Sequence, residues 1–263
     1  MIAWVPPRYS ALVWHVSPDH FDNALEDAER ALRTRQGSPA NALAQAERVV
    51  ARSGISDEAR LVAFWAMGLA ERELNLLAEA EGHLREAITI AGRIGDHTRS
   101  AQVTSALVVV VTSRGRAEEA LAIADGISGL RDQNERAVLD MRRAMAHEQL
   151  GRLGEALDAY TRALGVIASG DDRVLEARLR NNRAIVLAYR GDIDRALTEL
   201  VIAERLAVDQ GQFLLAGGAA HNHGFSAGRR GDIVTALASF DRAERLYATA
   251  GFPGRCRGVL AAD

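Results

Sequence analysis

The chain has 263 residues, of which 48% are hydrophobic and 25% charged, and its formal net charge is −3 at pH 7. These values are typical of a globular protein; they exclude a disordered or collagen-like chain and give no general basic surface for nucleic acid. The single cysteine, Cys256, excludes an internal disulfide framework and a multi-cysteine zinc site. Few prolines and aromatic residues among many Ala, Leu, Arg and Glu favour an all-α fold.

Residues 1–21 are predicted to form an N-terminal arm. A Pro-Pro-Arg triplet interrupts it, and no apolar stretch follows a basic start, so it lacks the pattern of a secretory signal. The longest strongly apolar run, about residues 106–111, is far shorter than the roughly 20 residues that cross a bilayer. We therefore expect a cytoplasmic protein with no membrane partner. The arm, with Trp4 and Trp14, either packs on the domain or occupies a binding groove, unless the chain start is misassigned.

Residues 22–250 carry a repeated pattern. In its clearest copies, which begin at Gly151, Gly191 and Gly231, an Ala-Leu pair follows the glycine after four residues. Asn75 replaces the glycine in an earlier copy. The alanines that anchor the copies are spaced by 38, 40, 36, 40 and 40 residues: Ala42, Ala80, Ala120, Ala156, Ala196 and Ala236.

Each part of this pattern has a physical reason. Glycine adopts the positive φ of a turn where a helix ends, and alanine lets two antiparallel helices approach closely. Apolar residues four and seven places after the alanine fall on one face of the second helix. Further glycines separate the copies, so each copy is predicted to be a helix-turn-helix unit. The pattern resembles the tetratricopeptide repeat (TPR), which implies a right-handed α-solenoid of about six TPR-like helix-turn-helix repeats.

A second resemblance covers about residues 60–260, which are similar to the repeat region of actinobacterial CHAT-domain proteins, the caspase-like peptidases associated with such repeats. The stretches that carry it are residues 136–138, 149–157, 181–184, 188–192, 221–225 and 229–232. In those proteins a peptidase domain follows the repeats, whereas here residues 251–263 are predicted to begin a further, truncated helix. The resemblance implies a regulatory or sensor region without its peptidase domain, and no catalytic residue is carried over.

The last three units present candidate ligand-binding residues on their first helices. Arg142, Asn182 and Asn222 each lie fourteen residues before an anchoring alanine. In peptide-binding repeats this position often holds a ligand backbone or carboxylate, which amide and guanidinium groups suit. Solvation, or a hydrogen bond to the neighbouring repeat, is the alternative role. Nearby polar positions of the last two units complete the predicted concave peptide site: Arg178, Asn181, Tyr189, His221 and Arg229.

An apolar stripe accompanies these polar residues. Eleven residues before the anchoring alanine, five successive units carry Leu69, Val109, Met145, Ile185 and Phe225. Trp65 and Met141 extend the stripe. Its residues either pack between adjacent repeats or line a groove for an apolar or amphipathic segment, including the chain's own arm. Phe225 is included in the predicted peptide site.

Other motifs give no catalytic or metal site. His221 and His223 lie two residues apart and point away from each other on a helix, so they do not easily share one ion. We interpret His223 as a packed core histidine. Cys256 has no identifiable paired base, and no P-loop, dinucleotide fingerprint or serine elbow occurs. We therefore predict no enzyme, no metal and no cofactor.

The preferred hypothesis is a non-enzymatic scaffold that binds a protein or peptide in its concave groove. The alternative is the TPR sensor domain of a multi-domain transcriptional regulator or signalling ATPase; a third hypothesis is an all-α enzyme using His221, His223 and Cys256. Residues 127–134 are predicted to be a hinge, next to the short 36-residue spacing. An uncapped C-terminal end predicts a homodimer, or a fragment of a longer protein.

Overall fold

The computed structural model describes residues 18–34, 38–130, 132–167 and 172–252. In this part of the chain there are twelve helices joined by turns and no strand, so the predicted all-α fold of helical repeats is confirmed. None of the helices described is long and apolar enough to cross a bilayer. The predictions for Trp4, Trp14 and Cys256 lie outside the described residues.

The helices fall into two compact units, of which the first comprises residues 1–95. Its helices are α1 (Pro18–Thr34), α2 (Pro39–Val50), α3 (Asp57–Glu73) and α4 (Leu77–Ile94). Helix α3 is the centre of this unit, because α1, α2 and α4 all pack against it. Its core is built mainly from small and aliphatic side chains, including Ala28, Leu61 and Ala63, none of which is exposed.

The second unit comprises residues 96–263. Its helices are α5 (His97–Ser113), α6 (Ala117–Asp125), α7 (Gln133–Gln149), α8 (Leu153–Ile167), α9 (Arg173–Tyr189), α10 (Ile193–Asp209), α11 (Phe213–Arg229) and α12 (Ile233–Thr249). Consecutive helices pair as hairpins, and each second helix also packs against the first helix of the next hairpin. The first helices α5, α7, α9 and α11 therefore form one row, with each in contact with its neighbour.

The anchoring alanines and the turns lie where the repeat pattern places them. All six alanines are in second helices and are buried, with at most 5% of the residue exposed. Gly151, between α7 and α8, has a φ of 70°, and the Arg152 amide behind it donates to the carbonyl of His147 at 2.9 Å. Asn75 has a φ of 62°, and within the described ranges it is the one residue other than glycine with a positive φ.

The segment predicted to be a hinge is irregular but attached to α7. Residues 127–130 have no regular structure, and α6 before them has only nine residues. The carbonyl of Leu130 accepts a hydrogen bond from Arg136 Nε at 3.0 Å, and Leu130 itself is buried. The two compact units divide at Gly95 and not within this segment. Hinge motion at residues 127–134 therefore stays a prediction.

Two glycines on α3 and α4 test the requirement for close helix packing. A Cβ atom added at Gly68 would lie 2.6 Å from Leu84 Cγ and 3.0 Å from the Ala80 carbonyl oxygen, whereas one at Gly82 would meet nothing within 4 Å. We expect Gly68→Ala to lower the free energy of unfolding by about 1–3 kcal/mol. Gly82→Ala should raise it by up to about 1 kcal/mol. Urea unfolding monitored by circular dichroism measures the unfolding free energy of both variants. Equal changes in Gly68→Ala and Gly82→Ala would contradict close packing at Gly68.

A histidine–glutamate pair joins the same two helices. His83 Nδ1 lies 2.8 Å from Oε2 of the buried Glu71, and the His83 ring stacks on Phe64 with centroids 5.6 Å apart. The hydrogen bond with Glu71 raises the pKa of His83 above 6.5, although burial acts in the opposite direction. Protonated His83 therefore stabilises the folded state.

This stabilisation is complete below about pH 6.5 and is lost as the pH rises through the raised pKa. We expect the difference in unfolding free energy between wild type and His83→Gln to decrease over that range. Urea unfolding at a series of pH values measures this difference, and Glu71→Gln is the matched control because it removes the carboxylate charge that favours protonated His83. A difference that does not change with pH would rule out the protonated pair.

Candidate functional site

The candidate site lies on the row of first helices in the second unit. We call the surface of α7, α9 and α11 that bears Arg142, Asn182 and Asn222 the first-helix face. The Asp172 carboxylate caps α9 by accepting from the Leu175 amide at 2.9 Å. This cap fixes the start of α9, which carries four of the nine candidate residues: Arg178, Asn181, Asn182 and Tyr189.

Charged side chains hold α9 against α10. Arg180 Nε donates to Glu176 Oε1 at 2.8 Å, and Arg180 Nη1 donates to Glu199 Oε2 at 3.0 Å. Arg183 donates to the other oxygen of Glu199. The two arginines and Glu199 are each at least three-quarters buried, so this network restricts how α9 can rotate.

The apolar stripe changes from core to surface along the chain. Leu69 is buried, and Val109, Met145 and Ile185 are half-buried, whereas Phe225 is 43% exposed. Trp65 and Met141, which extend the stripe, are half-buried. The stripe residues before Phe225 therefore pack against neighbouring side chains. Of the five equivalent residues, Phe225 alone offers a large apolar surface.

An open cavity of about 320 Å³ lies between α9 and α11 at this exposed end of the stripe. Its lining residues are Ile185, Ala188, Tyr189, His221, Asn222, Phe225 and Ser226. Four of them were predicted from the sequence as peptide-binding residues, and the fold brings these four together. Ala188 and Ser226 were not predicted, because small residues on a helix give no sequence signal of a site.

Two aromatic rings and one guanidinium form the rim of this cavity. The Tyr189 and Phe225 ring centroids are 6.3 Å apart, and Arg229 Cζ lies 5.5 Å and 5.9 Å from them. Tyr189 is 54% exposed. Arg229 forms no ion pair with a described residue, so its charge is available to an anionic group.

The two histidines of α11 have different surroundings. His221 lines the cavity and also contacts the Phe240 ring, with centroids 5.2 Å apart, and burial lowers its pKa. His223 faces α12 instead, where Nδ1 lies 2.9 Å from Ser239 Oγ. Burial also lowers the pKa of His223. No group of three or more metal-binding side chains occurs among the residues that the structure describes.

Hydrogen bonds connect the asparagines of neighbouring hairpins. Asn222 Nδ2 donates to Asn181 Oδ1 at 2.9 Å, and Asn181 Nδ2 donates to Asn182 Oδ1 at 3.1 Å. Separately, the hydroxyl of the buried Tyr160 on α8 donates to Glu148 Oε1 on α7. Sequence reasoning included the three asparagines and missed the bond between Tyr160 and Glu148.

Two predicted site residues lie away from the cavity. Arg142 donates to the hydroxyl of Ser105 on α5, which is the alternative role predicted for this position, a hydrogen bond to the neighbouring repeat. Arg178 is exposed on α9 and does not line the cavity. The structure thus divides the predicted residues among the cavity and its rim, the hydrogen-bonded asparagines and these two arginines.

Comparisons with known proteins agree with the fold. Residues 135–200, which span most of α7 to α10, match the family model of the tetratricopeptide repeat. No curated protein sequence matches the chain. This part of the chain is therefore similar to TPR proteins, as the repeat pattern predicted.

Three solved structures illustrate the similarity in fold. BtubC (BKLC) from P. vanneervenii is 21% identical with a TM-score of 0.61, and the alignment covers 88% of this chain and 91% of that one. A Rap protein complexed with competence and sporulation factor is 14% identical with a TM-score of 0.71, covering 84% and 67%. NprR in complex with its cognate peptide NprX is 14% identical with a TM-score of 0.65, covering 94% and 76%.

Proposed function

We propose that this protein is a non-enzymatic scaffold that binds a peptide or an extended protein segment at the cavity between α9 and α11. The observation that supports the proposal is the cavity itself, where exposed aromatic rings, an amide and an unpaired arginine meet. Two of the similar structures are complexes, one with competence and sporulation factor and one with a cognate peptide. Their likeness supports a binding role for the same kind of fold.

The cavity residues suit different parts of a peptide. A space of about 320 Å³ beside Ile185 and Phe225 can take one apolar side chain. The Asn222 amide can pair with a peptide backbone, since an amide both donates and accepts. Arg229 can hold a neighbouring carboxylate in a bidentate arrangement. The preferred ligand is therefore an extended segment with an apolar residue next to an acidic group.

We also propose a biological setting for this binding role. The resemblance of residues 60–260 to CHAT-associated repeats favours a regulatory or sensor role in the cytoplasm. The alternative is the sensor domain of a transcriptional regulator or signalling ATPase. A reading frame that continues beyond Asp263 would separate them, through cysteine and histidine peptidase motifs or through a helix-turn-helix or P-loop.

Peptide selection tests the binding role. A random peptide library displayed on phage is selected against the full chain, and enriched peptides are then measured against the Asn222→Ala/Arg229→Ala variant. We expect the Kd to rise at least about tenfold, because the variant loses the backbone partner and the cation. The control is Arg205→Ala/Asp209→Ala, which changes an exposed pair on α10. Peptides that bind all three proteins equally would place the binding site elsewhere.

We also propose that α12 mediates a homodimer. Three apolar side chains near its start are largely exposed: Ile233 at 60%, Val234 at 81% and Leu237 at 62%. Exposed apolar side chains grouped in this way are typical of a protein contact. A second copy that presents the same face would bury both patches symmetrically.

Sedimentation velocity tests the dimer. We expect the wild type to show a concentration-dependent dimer and Leu237→Glu to sediment as a monomer, because a buried unpaired charge opposes association. Val201→Glu is the matched control, since Val201 is 53% exposed on α10. A wild type that stays monomeric at high concentration would refute this arrangement.

A further inference from the structure

We propose that Tyr189 and Phe225 are positioning residues whose rings orient the Arg229 guanidinium, so that the site takes a ligand carboxylate at the guanidinium edge. The proposal rests on the proposed function and adds what makes the same site select an acidic ligand. It gives the two rings a role beyond direct contact with an apolar side chain.

The three side chains form a corner at the ends of two neighbouring first helices. Tyr189 is the last residue of α9, and Arg229 is the last residue of α11. Arg229 Cζ lies over both rings, 5.5 Å from the Tyr189 centroid and 5.9 Å from the Phe225 centroid. Both distances are within the roughly 6 Å at which a ring face attracts a cation. The ring planes are inclined by 53°, so the guanidinium contacts two faces of different orientation.

The corner combines a local pair with a residue from the neighbouring hairpin. Phe225 and Arg229 are four positions apart on α11, a spacing that places side chains next to each other on a helix. Tyr189 joins them because α9 packs against α11. Arg229 is exposed, yet it contacts a ring of its own helix and a ring of the next first helix. These two contacts restrict its rotamers.

A guanidinium that rests on aromatic faces offers its hydrogen bonds at its edge. Its five N–H donors lie in one plane, so a group stacked on a ring directs them sideways. Arg229 forms no ion pair with a described residue, which leaves this edge available to a ligand. A planar carboxylate accepts two parallel N–H bonds from such an edge.

The benefit of the rings is preorganisation. At an exposed site, one aromatic face favours a cation beside it by roughly two- to fivefold. A ligand that requires one orientation of an arginine binds more weakly when the arginine adopts that orientation only part of the time. Removal of one ring should therefore weaken carboxylate binding by a similar factor.

The corner also borders the cavity. Tyr189 and Phe225 line the cavity, and Arg229 contacts both of them. A ligand with an apolar side chain close to a carboxylate can therefore fill the cavity and reach Arg229 at the same time. The carboxylate can belong to an acidic side chain or to a chain end, because the guanidinium recognises the same group in both.

Fluorine nuclear magnetic resonance tests the corner without a ligand. The chain has four tyrosines, so the full chain labelled with 3-fluorotyrosine gives a simple spectrum, in which Tyr189→Phe identifies the Tyr189 signal. We expect Arg229→Met to shift that signal. Arg205→Met, which removes an exposed charge on α10, is the control and should leave it unchanged. A Tyr189 signal that does not respond to Arg229→Met overturns the proposal.

Three small probes then test the selection of a carboxylate. N-acetyl-leucine carries it at the chain end, the amidated dipeptide acetyl-Leu-Asp carries it on a side chain, and N-acetyl-leucinamide has none. Each probe is titrated while the Tyr189 fluorine signal is followed. We expect at least one acidic probe to bind wild type about tenfold tighter than N-acetyl-leucinamide, and no such preference in Arg229→Met. Equal binding of all three probes to wild type overturns the proposal.

A leucine variant separates positioning from apolar contact. Phe225→Leu keeps an apolar side chain but removes the ring face, so it should lower the preference for the acidic probe roughly two- to fivefold. Phe225→Tyr keeps a ring face and should restore the preference. Tyr189→Leu, measured through the signals of the probes, should behave like Phe225→Leu. If the leucine variants weaken binding of acidic and neutral probes by the same factor, the rings only provide apolar contact.

The proposed function and this inference can fail separately. If the phage selection gives no peptide while an acidic probe is preferred, the peptide role fails and the oriented arginine stands. If peptides are selected but replacing each of their acidic groups by an amide leaves their Kd unchanged, the proposed function stands and the inference is overturned.

Discussion

Close contact between paired helices at buried alanines is the constraint on which the rest of this structure depends. A larger side chain at these buried positions would hold the two helices apart, so the alanine methyl group lets each hairpin close. Ala156, Ala196 and Ala236 hold the last three hairpins in this way. With the hairpins fixed, polar side chains on neighbouring first helices come within hydrogen-bond distance, as Asn222 and Asn181 do.

The repeats are alike in backbone and different in surface. Equivalent positions are buried at Leu69 and 43% exposed at Phe225. The proposed binding residues are therefore concentrated at one interface, between α9 and α11, where Tyr189 and Arg229 border the cavity. A repeat architecture allows such a local site, since each hairpin contacts mainly its neighbours.

The sequence predicted the features that recur at fixed intervals. The spacing of alanines placed the second helices, and the glycines, with Asn75 in their place once, located the turns. Periodicity also placed Tyr189, Asn222 and Phe225 on first helices. These features could be predicted because they depend on local backbone geometry.

Features that depend on pairs of distant side chains could not be predicted. The bond between Asn222 and Asn181 joins residues 41 positions apart, and no local pattern indicates it. Tyr160 and Glu148 were missed for the same reason, since burial of a tyrosine hydroxyl beside a carboxylate follows from packing. Arg142 has the residue type and spacing expected for a ligand contact, yet its guanidinium donates a hydrogen bond to the nearby hydroxyl of Ser105.

The turn at Asn75 has a consequence for the unfolded chain. Glycine at a turn is free to adopt many conformations before folding, and folding removes that freedom. Asparagine adopts a φ of 62° with little strain but samples fewer conformations when unfolded. The hairpin of α3 and α4 therefore loses less conformational entropy at its turn than the hairpins that turn at glycine, a difference that no contact in the folded protein reveals.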